Sequence, residues 1–328
     1  MSQLQLNSLS SGVEITARDI DLLRGLFECR VMTVEHMATL YFAGRIEAAR
    51  KRIWKLKTAG LVRQRPRRAY DPSVLFLAAP ALRFLMEEGH IADYPQLNFG
   101  LFEKRACVSD LTVRHELDVL DVRAAFTQAV QRIPNFSLCE FSTWPRLYEF
   151  SAAPRPGLNV LVRPDGYIRL CDGQGEHRFF LEVDRSTEVQ EVIARRAACY
   201  LNFYRQGGFA VRHGYRPEDY RRLPFRVLMV FRNAERRNNA AIRLLQSRPP
   251  IYTHTILTTM EEARIDPLGA IWVQPIDYRD AVHGTPFQVR PASNPLYRRQ
   301  VDRDQFVAAN LSKRALLQSP SATMRADW

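Results

Sequence analysis

From Arg45 to Arg68 the chain carries ten basic residues, Arg45, Arg50, Lys51, Arg52, Lys55, Lys57, Arg63, Arg65, Arg67 and Arg68, against the single acid Glu47. Charge at that density cannot be taken out of water, because an unpaired buried ion costs more than a fold can recover. Whatever forms here must keep one face in a core and leave the other to solvent or a polyanion. The apolar residues Ile46, Ala49, Ile53 and Leu56 recur at helical spacing and mark the inward face. They predict a helix that follows Phe42-Ala43-Gly44 and runs to Ala59, with Gly60 placed to end it.

The neighbouring segments extend this into a domain. Thr16 is an N-cap with Asp19 three residues on, ahead of a helix whose apolar positions are Ile20, Leu23, Leu26 and Phe27. Thr33 is placed to cap a second, short helix that turns Met37, Leu40 and Tyr41 inward. After the basic helix come two strand-like runs, Leu61 to Arg65 and Val74 to Leu77, separated by the turn-prone Pro66-Arg67-Arg68 and Asp71-Pro72-Ser73. Two helices, a basic third helix and a hairpin with an arginine-rich tip give the layout of a winged helix-turn-helix over residues 13–90. Arg45, Arg50, Lys51 and Arg52 are then expected to face the major groove and Arg65, Arg67 and Arg68 to reach phosphates or the minor groove, with Lys55 and Arg63 also expected to bind DNA. A protein-interaction module has the same element order, but the charge favours double-stranded DNA.

Composition bounds the rest. With 328 residues and 46 % apolar content the chain can build one large or two ordinary domains, and general disorder is excluded. The net charge is +12, nine of it in the basic window, and only five of the 47 basic residues are lysines. Arginine suits bidentate phosphate and base contacts, although a GC-rich genome gives the same bias. The longest apolar runs, such as Val74 to Ala79 and Val227 to Phe231, fall far short of the ~20 residues of a membrane span. No charged-then-apolar leader is seen, so the expectation is a cytoplasmic protein without membrane contact. Cys29, Cys107, Cys139, Cys171 and Cys199 are odd in number and scattered, which predicts reduced thiols and neither a disulfide framework nor a zinc cluster.

The middle of the chain reads as a helix over Thr112 to Arg132 and strand-like runs over Phe136 to Trp144, Leu158 to Leu170 and Arg178 to Asp184. A helix from Glu188 to Tyr204 and the apolar strand Phe225 to Phe231 complete an αβββαβ order. Asp165 is expected in the second strand, and Glu182 and Asp184 share one face at the end of the third. Three carboxylates from adjacent strands would suit Mg²⁺, which activates water for phosphoryl displacement. His115-Glu116 begins like a zinc-protease helix, but Val119 stands where the second histidine is needed, and no phosphate-cradling glycine loop is present. Farther on, a helix over Ala234 to Gln246, a strand over Tyr252 to Thr259, a short helix over Met260 to Ile265 and a strand over Ala270 to Gln274 would extend the central sheet. From Tyr278 onward an extended tail is expected, with one helix from Arg303 to Leu317 and a mobile end from Ser319 to Trp328.

The pair Pro164-Asp165 followed by Glu182-Val183-Asp184 in this order resembles the PD-(D/E)XK nuclease fold. More narrowly, Leu111-Thr112-Val113-Arg114-His115-Glu116-Leu117, Arg163-Pro164-Asp165-Gly166 and Phe180 to Glu188, ending at Tyr200, resemble the replication-relaxation family over Ile15 to Phe231. That resemblance implies a winged helix joined to a nuclease-like core, here residues 105–277, in a bacterial protein tied to plasmids and other mobile elements. It also implies Asp165 and Glu182 as metal-binding acids, with Asp184 standing where nuclease members have a lysine. No lysine occurs between Arg105 and Ser312, and Arg195 or Arg196 would have to supply charge from the following helix. A guanidinium does not give up a proton and makes a poor general base.

The reading is thus an α/β protein: a winged helix-turn-helix at 13–90, a PD-(D/E)XK-like core at 105–277 and a tail at 278–328. Its expected function is sequence-specific DNA binding in transcription, replication or transfer, nucleoid- or plasmid-associated, with a degenerate core. Expected partners are a second copy of the chain and replication, transfer or regulatory proteins. The alternative is a Mg²⁺-dependent endonuclease or nicking enzyme using Asp165, Glu182 and Asp184. An adaptor recruited to a larger complex is a third reading.

Overall fold

The computed structural model describes residues 13–94, 109–143, 149–155, 157–173, 175–185, 189–283 and 311–317. The chain divides into two compact units, Met1–Gln128 with Thr143–Arg146, and Ala129–Ser142 with Leu147–Trp328. The protein is mixed α/β, with helices and several sheets.

The first unit opens with α1 (Ala17–Cys29), β1 (Met32–Thr33), α2 (Val34–Tyr41) and α3 (Ile46–Thr58). The hairpin β2 (Val62–Gln64) and β3 (Val74–Leu77) follows, and then α4 (Ala79–Glu87). Both predicted caps are formed: Thr16 and Asp19 close a capping box on α1, and Thr33 and His36 close one on α2. Gly60 ends α3 in the left-handed region at φ 72°, which lets the Leu61 N–H donate back to the Leu56 carbonyl at 2.9 Å. β1 pairs antiparallel with β3, completing a three-stranded sheet of order β1-β3-β2. The core joins Leu22, Leu23, Leu26 and Phe27 of α1 to Met37, Ala49, Ile53, Leu56, Leu75 and Leu85. Each of these leucine, isoleucine, methionine and phenylalanine side chains taken from water contributes about 1.5–3 kcal/mol.

A long helix, α5 (Asp110–Val130), belongs to this unit as far as Gln128. From the sequence it is expected at the head of the second domain. Its attachments explain the difference: Leu120 joins the first core, Glu116 pairs with Arg30 at 3.3 Å, and Asp121 meets His36 Nε2 at 2.8 Å. His115, half-buried on α5, stands in no group able to hold a metal among the described residues.

The second unit is built on a five-stranded sheet of order β10-β9-β8-β7-β4. Its strands are β4 (Ser137–Ser142), β7 (Gly166–Asp172), β8 (Gly175–Asp184), β9 (Phe225–Phe231) and β10 (Thr255–Thr259). β4, β7 and β8 run antiparallel in a meander, whereas β8, β9 and β10 are parallel. Parallel pairing needs crossovers, and these are α6 (Gln190–Arg205), α7 (Gly208–Arg212) and a 3₁₀ turn (Pro217–Arg222) before β9, then α8 (Ala234–Leu245) before β10. Phe180 of β8 sits at the centre of the core, its ring 4.8 Å from Phe225, 5.2 Å from Tyr200 and 5.4 Å from Tyr167.

The run Leu158 to Leu170 is two strands, because β6 (Leu158–Val162) leaves the main sheet to pair with β5 (Phe150–Arg155). Asp165 therefore lies in the bend before β7 and not within a strand. The strand β11 (Ala270–Trp272) pairs with β12 (Arg314–Ala315), while Val273 bridges Leu257 of β10. α9 (Met260–Ile265) agrees with its predicted bounds, but Tyr278 opens no tail. It is buried in α10 (Pro275–His283), which packs into the second core. Residues 311–317 hold β12 and no helix; the remainder of the predicted helix from Arg303, and the expected mobile end from Ser319, lie outside the described residues, as do Trp144 and 186–188. Cys139 and Cys171 form a disulfide, contrary to the expectation of free thiols, because a bulge between Leu138 and Glu140 sets Cys139 beside Cys171 on the adjacent strand.

Candidate functional site

Two arrangements gather the predicted residues. The first is the exposed side of α3. Burial of Ala49, Ile53 and Leu56 turns Arg50, Lys51, Trp54 and Lys55 outward together, since positions three and four apart share a face. Arg45, at the helix start, is exposed and donates from Nε to the Phe42 carbonyl at 3.2 Å. Arg50 pairs with Glu47 at 2.7 Å, but with both side chains more than half exposed the pair is worth no more than about 0.5 kcal/mol and yields readily. Lys57 donates to Gln64 Oε1 at 2.7 Å, joining α3 to β2.

Arg52 is placed differently from expectation. Its guanidinium turns toward α1, where Nε donates to Asp19 Oδ1 at 2.7 Å and Nη2 donates to Asp19 Oδ2 and to the Glu14 carbonyl. Burial pushes the Asp19 carboxyl up, but hydrogen bonds from Arg52 and Thr16 outweigh it and hold the group below its ordinary range. Arg52 is thus a strut inside the helical unit.

The hairpin divides in the same way. Arg63 and Arg68 are exposed, whereas Arg65 is mostly covered and pairs with Asp110 at 3.3 Å. Arg67 is exposed as well, and its Nη1 donates within the turn to the Ala69 and Asp71 carbonyls at 3.1 and 2.6 Å. Of the predicted basic set, Arg45, Arg50, Lys51, Lys55, Arg63, Arg67 and Arg68 stand at the surface with cationic groups to offer a polyanion.

The second arrangement is the end of β8. Glu182 is only 5 % exposed, and both its oxygens are taken: Arg196 Nη1 donates to Oε2 at 2.6 Å and the Tyr200 hydroxyl to Oε1 at 2.5 Å. Arg196 and Tyr200 are four apart on α6, a spacing that brings both to one carboxylate. Asp184 on the same strand face is held by Arg236 of α8, with Nε 2.7 Å from Oδ2 and Nη2 3.2 Å from Oδ1. Asp165 is tied to the β8 backbone, donating from its own N–H to the Leu181 carbonyl at 3.0 Å and accepting the Val183 N–H on Oδ2 at 2.7 Å. Arg195, the other candidate on α6, is exposed, so Arg196 is the arginine that meets a carboxylate.

These residues do not fit a divalent cation. Mg²⁺ needs carboxylate oxygens free to converge, and here two guanidiniums and a phenol already occupy those of Glu182 and Asp184. Among the described residues no group of three His, Cys, Asp or Glu side chains is arranged to hold a metal ion. Burial pushes the Glu182 carboxyl up to about 7, with Asp165 adding to the rise and Arg196 and Tyr200 opposing it. A carboxyl that keeps its proton near neutrality is a weak ligand for a hard cation.

Tyr200 and Arg236 are two partners that stand outside the predicted site residues. Tyr200 carries a signal in the sequence, its four-residue spacing from Arg196, whereas nothing local links Arg236 to Asp184, 52 positions away.

A basic helix and hairpin in one compact unit, joined in the same chain to an α/β sheet unit with an arginine-locked carboxylate cluster, define a two-unit α/β protein. The replication-relaxation family model matches residues 23–218, and the chain belongs to the replication-relaxation family. That span includes α3, the hairpin and the carboxylate cluster, except for Arg236. No curated protein and no solved structure matches the chain. Among the described residues no helix is long and apolar enough to cross a membrane.

Proposed function

We propose that this chain is a sequence-specific DNA-binding protein of a plasmid or other mobile element, acting in transcription or in replication and transfer. In this reading α1 to β3 form a winged helix-turn-helix, α3 enters the major groove and the hairpin is the wing. The observation that carries it is the division of α3 into a buried face of Ala49, Ile53 and Leu56 and an outward face bearing Arg50, Lys51 and Lys55. Membership of the replication-relaxation family supports the link to mobile elements. The sheet unit, a degenerate PD-(D/E)XK-like core, serves as scaffold or contact surface for a second copy or for replication, transfer or regulatory proteins. The Mg²⁺-dependent nuclease reading loses support, because Arg196, Tyr200 and Arg236 hold the oxygens such an enzyme would need.

The test is duplex binding by the full chain as a function of salt. Reversing Lys51 and Lys55 to Glu is expected to weaken binding at least tenfold and to flatten the log Kd against log salt slope by about two, roughly 0.9 for each phosphate no longer neutralised. Unchanged affinity and slope would reject α3 as the DNA-facing element.

A further inference from the structure

Trp54 lies in the middle of the outward face of α3 and is 66 % exposed. An indole is a large, rigid apolar surface with a polar N–H, the type of side chain in which binding surfaces are enriched. Its neighbours on the helix limit what that partner can be. Arg50 and Lys51 stand one turn before it, Lys55 directly after it, and Thr58, whose hydroxyl donates to the Trp54 carbonyl at 3.0 Å, one turn beyond. Two copies of such a face would repel one another, whereas a polyanion would be drawn to it. Lysine and arginine contacts to phosphate fix position without reading sequence. An apolar side chain among them has another use, because the thymine 5-methyl is the one apolar feature that the major groove presents.

We infer that Trp54 is the specificity-determining residue of this face, packing its indole against base edges, above all a thymine methyl, while Arg50, Lys51 and Lys55 hold the backbone. The inference rests on the DNA-binding reading and adds to it the residue that reads sequence. It separates two quantities that a purely electrostatic face would move together: affinity for any duplex and preference for one.

The experiment takes the full chain, selects its preferred duplex from randomised oligonucleotides, and measures Kd by fluorescence anisotropy on that duplex and on a scrambled one. Trp54→Ala is expected to lose about tenfold on the selected duplex and little on the scrambled one, with an unchanged salt slope. Trp54→Phe should restore most of the preference. Replacing the contacted thymine by uracil, which removes only the methyl, should weaken the wild-type chain and leave Trp54→Ala indifferent. Equal losses on both duplexes, an unchanged preference, or a change only in oligomeric state by sedimentation would overturn the inference while leaving DNA binding intact. A wild-type chain that binds every duplex equally would overturn it too, and one that binds no duplex would remove the reading beneath it.

Discussion

Arg52 grips Asp19 with both prongs of its guanidinium, and the carboxylate it grips is wholly buried while also capping α1 through Thr16. One carboxylate thereby fixes the start of the first helix and the middle of the third. The most basic segment of the chain is anchored to its core through an ion pair, and one of its cations is withdrawn from the outer face.

Removing Arg52 should therefore act on stability. Arg52→Met leaves a buried carboxylate without its cation, at a cost of about 3 kcal/mol, the lower end of the range because Arg52 is one-fifth exposed. Urea unfolding is expected to show that loss, with duplex affinity of the folded protein little changed. The pH profile carries the same mark. Since folding lowers the Asp19 pKa from its ordinary 3.8, the contribution is present above that value and is lost as pH falls through the folded value. A wild-type chain whose acid transition matches that of Arg52→Met would show that the pair does not govern it.

Local signals in the sequence reached as far as local structure does. The Thr16 and Thr33 caps, the stop at Gly60 and the strand Phe225–Phe231 all depend on residues within a few positions of one another. Pairing across the chain was not legible. Residues 205–248 hold eleven arginines against three acids, a net charge of +8. There Arg236, Arg237 and Arg243 are answered by Asp184, Glu262 and Glu191 from other elements. Arg52, counted from the sequence with the outward-facing cations, turns inward for the same reason, since its partner is 33 positions back. Periodicity shows which face of α3 is exposed, but a count of charges cannot tell a cation for a ligand from one already spent on the fold.

The Cys139–Cys171 bridge closes a separation of 32 residues between neighbouring strands. Constraint of the unfolded chain over such a loop is worth about 3–4 kcal/mol at most. Oxidised protein is expected to lose stability when a reductant is added, whereas Cys139→Ser/Cys171→Ser should not respond. Cys29 and Cys199 are buried, and burial pushes both thiols up, Cys199 to about 11, so native protein should leave them unlabelled by maleimide. Peptide mapping without reduction checks both points.

Glu182 should give the fold a pH dependence opposite in sign to that of Asp19. Burial raises its pKa from 4.5 to about 7, so the folded protein holds a proton that the unfolded chain has released. Stability from this group is complete below about 4.5 and declines as pH rises toward 7. Glu182→Gln, an isosteric change that can still accept from Tyr200, is expected to flatten that decline in thermal melts between pH 5 and 8. A wild-type curve that rises across the same interval would mean that Arg196 keeps the carboxylate ionised.

The arginine locks on β8 predict how the protein responds to Mg²⁺. Arg196 and Arg236 neutralise Glu182 and Asp184 from two different helices, so a cation would have to displace both before it met two free carboxylates. Thermal melts of the wild-type chain with Mg²⁺ or with a chelator should coincide. Replacing both arginines by Gln removes the locks and leaves Glu182, Asp184 and the nearby Asp165 with their repulsion unbalanced, which lowers the melting temperature by several degrees. In that variant Mg²⁺ should restore part of the loss by binding the folded state alone. Rescue of the double variant and silence of the wild type together would identify the guanidiniums as the cations this carboxylate cluster uses. Stabilisation of the wild-type chain by Mg²⁺ would instead reopen the metal-dependent reading of Asp165 and Glu182.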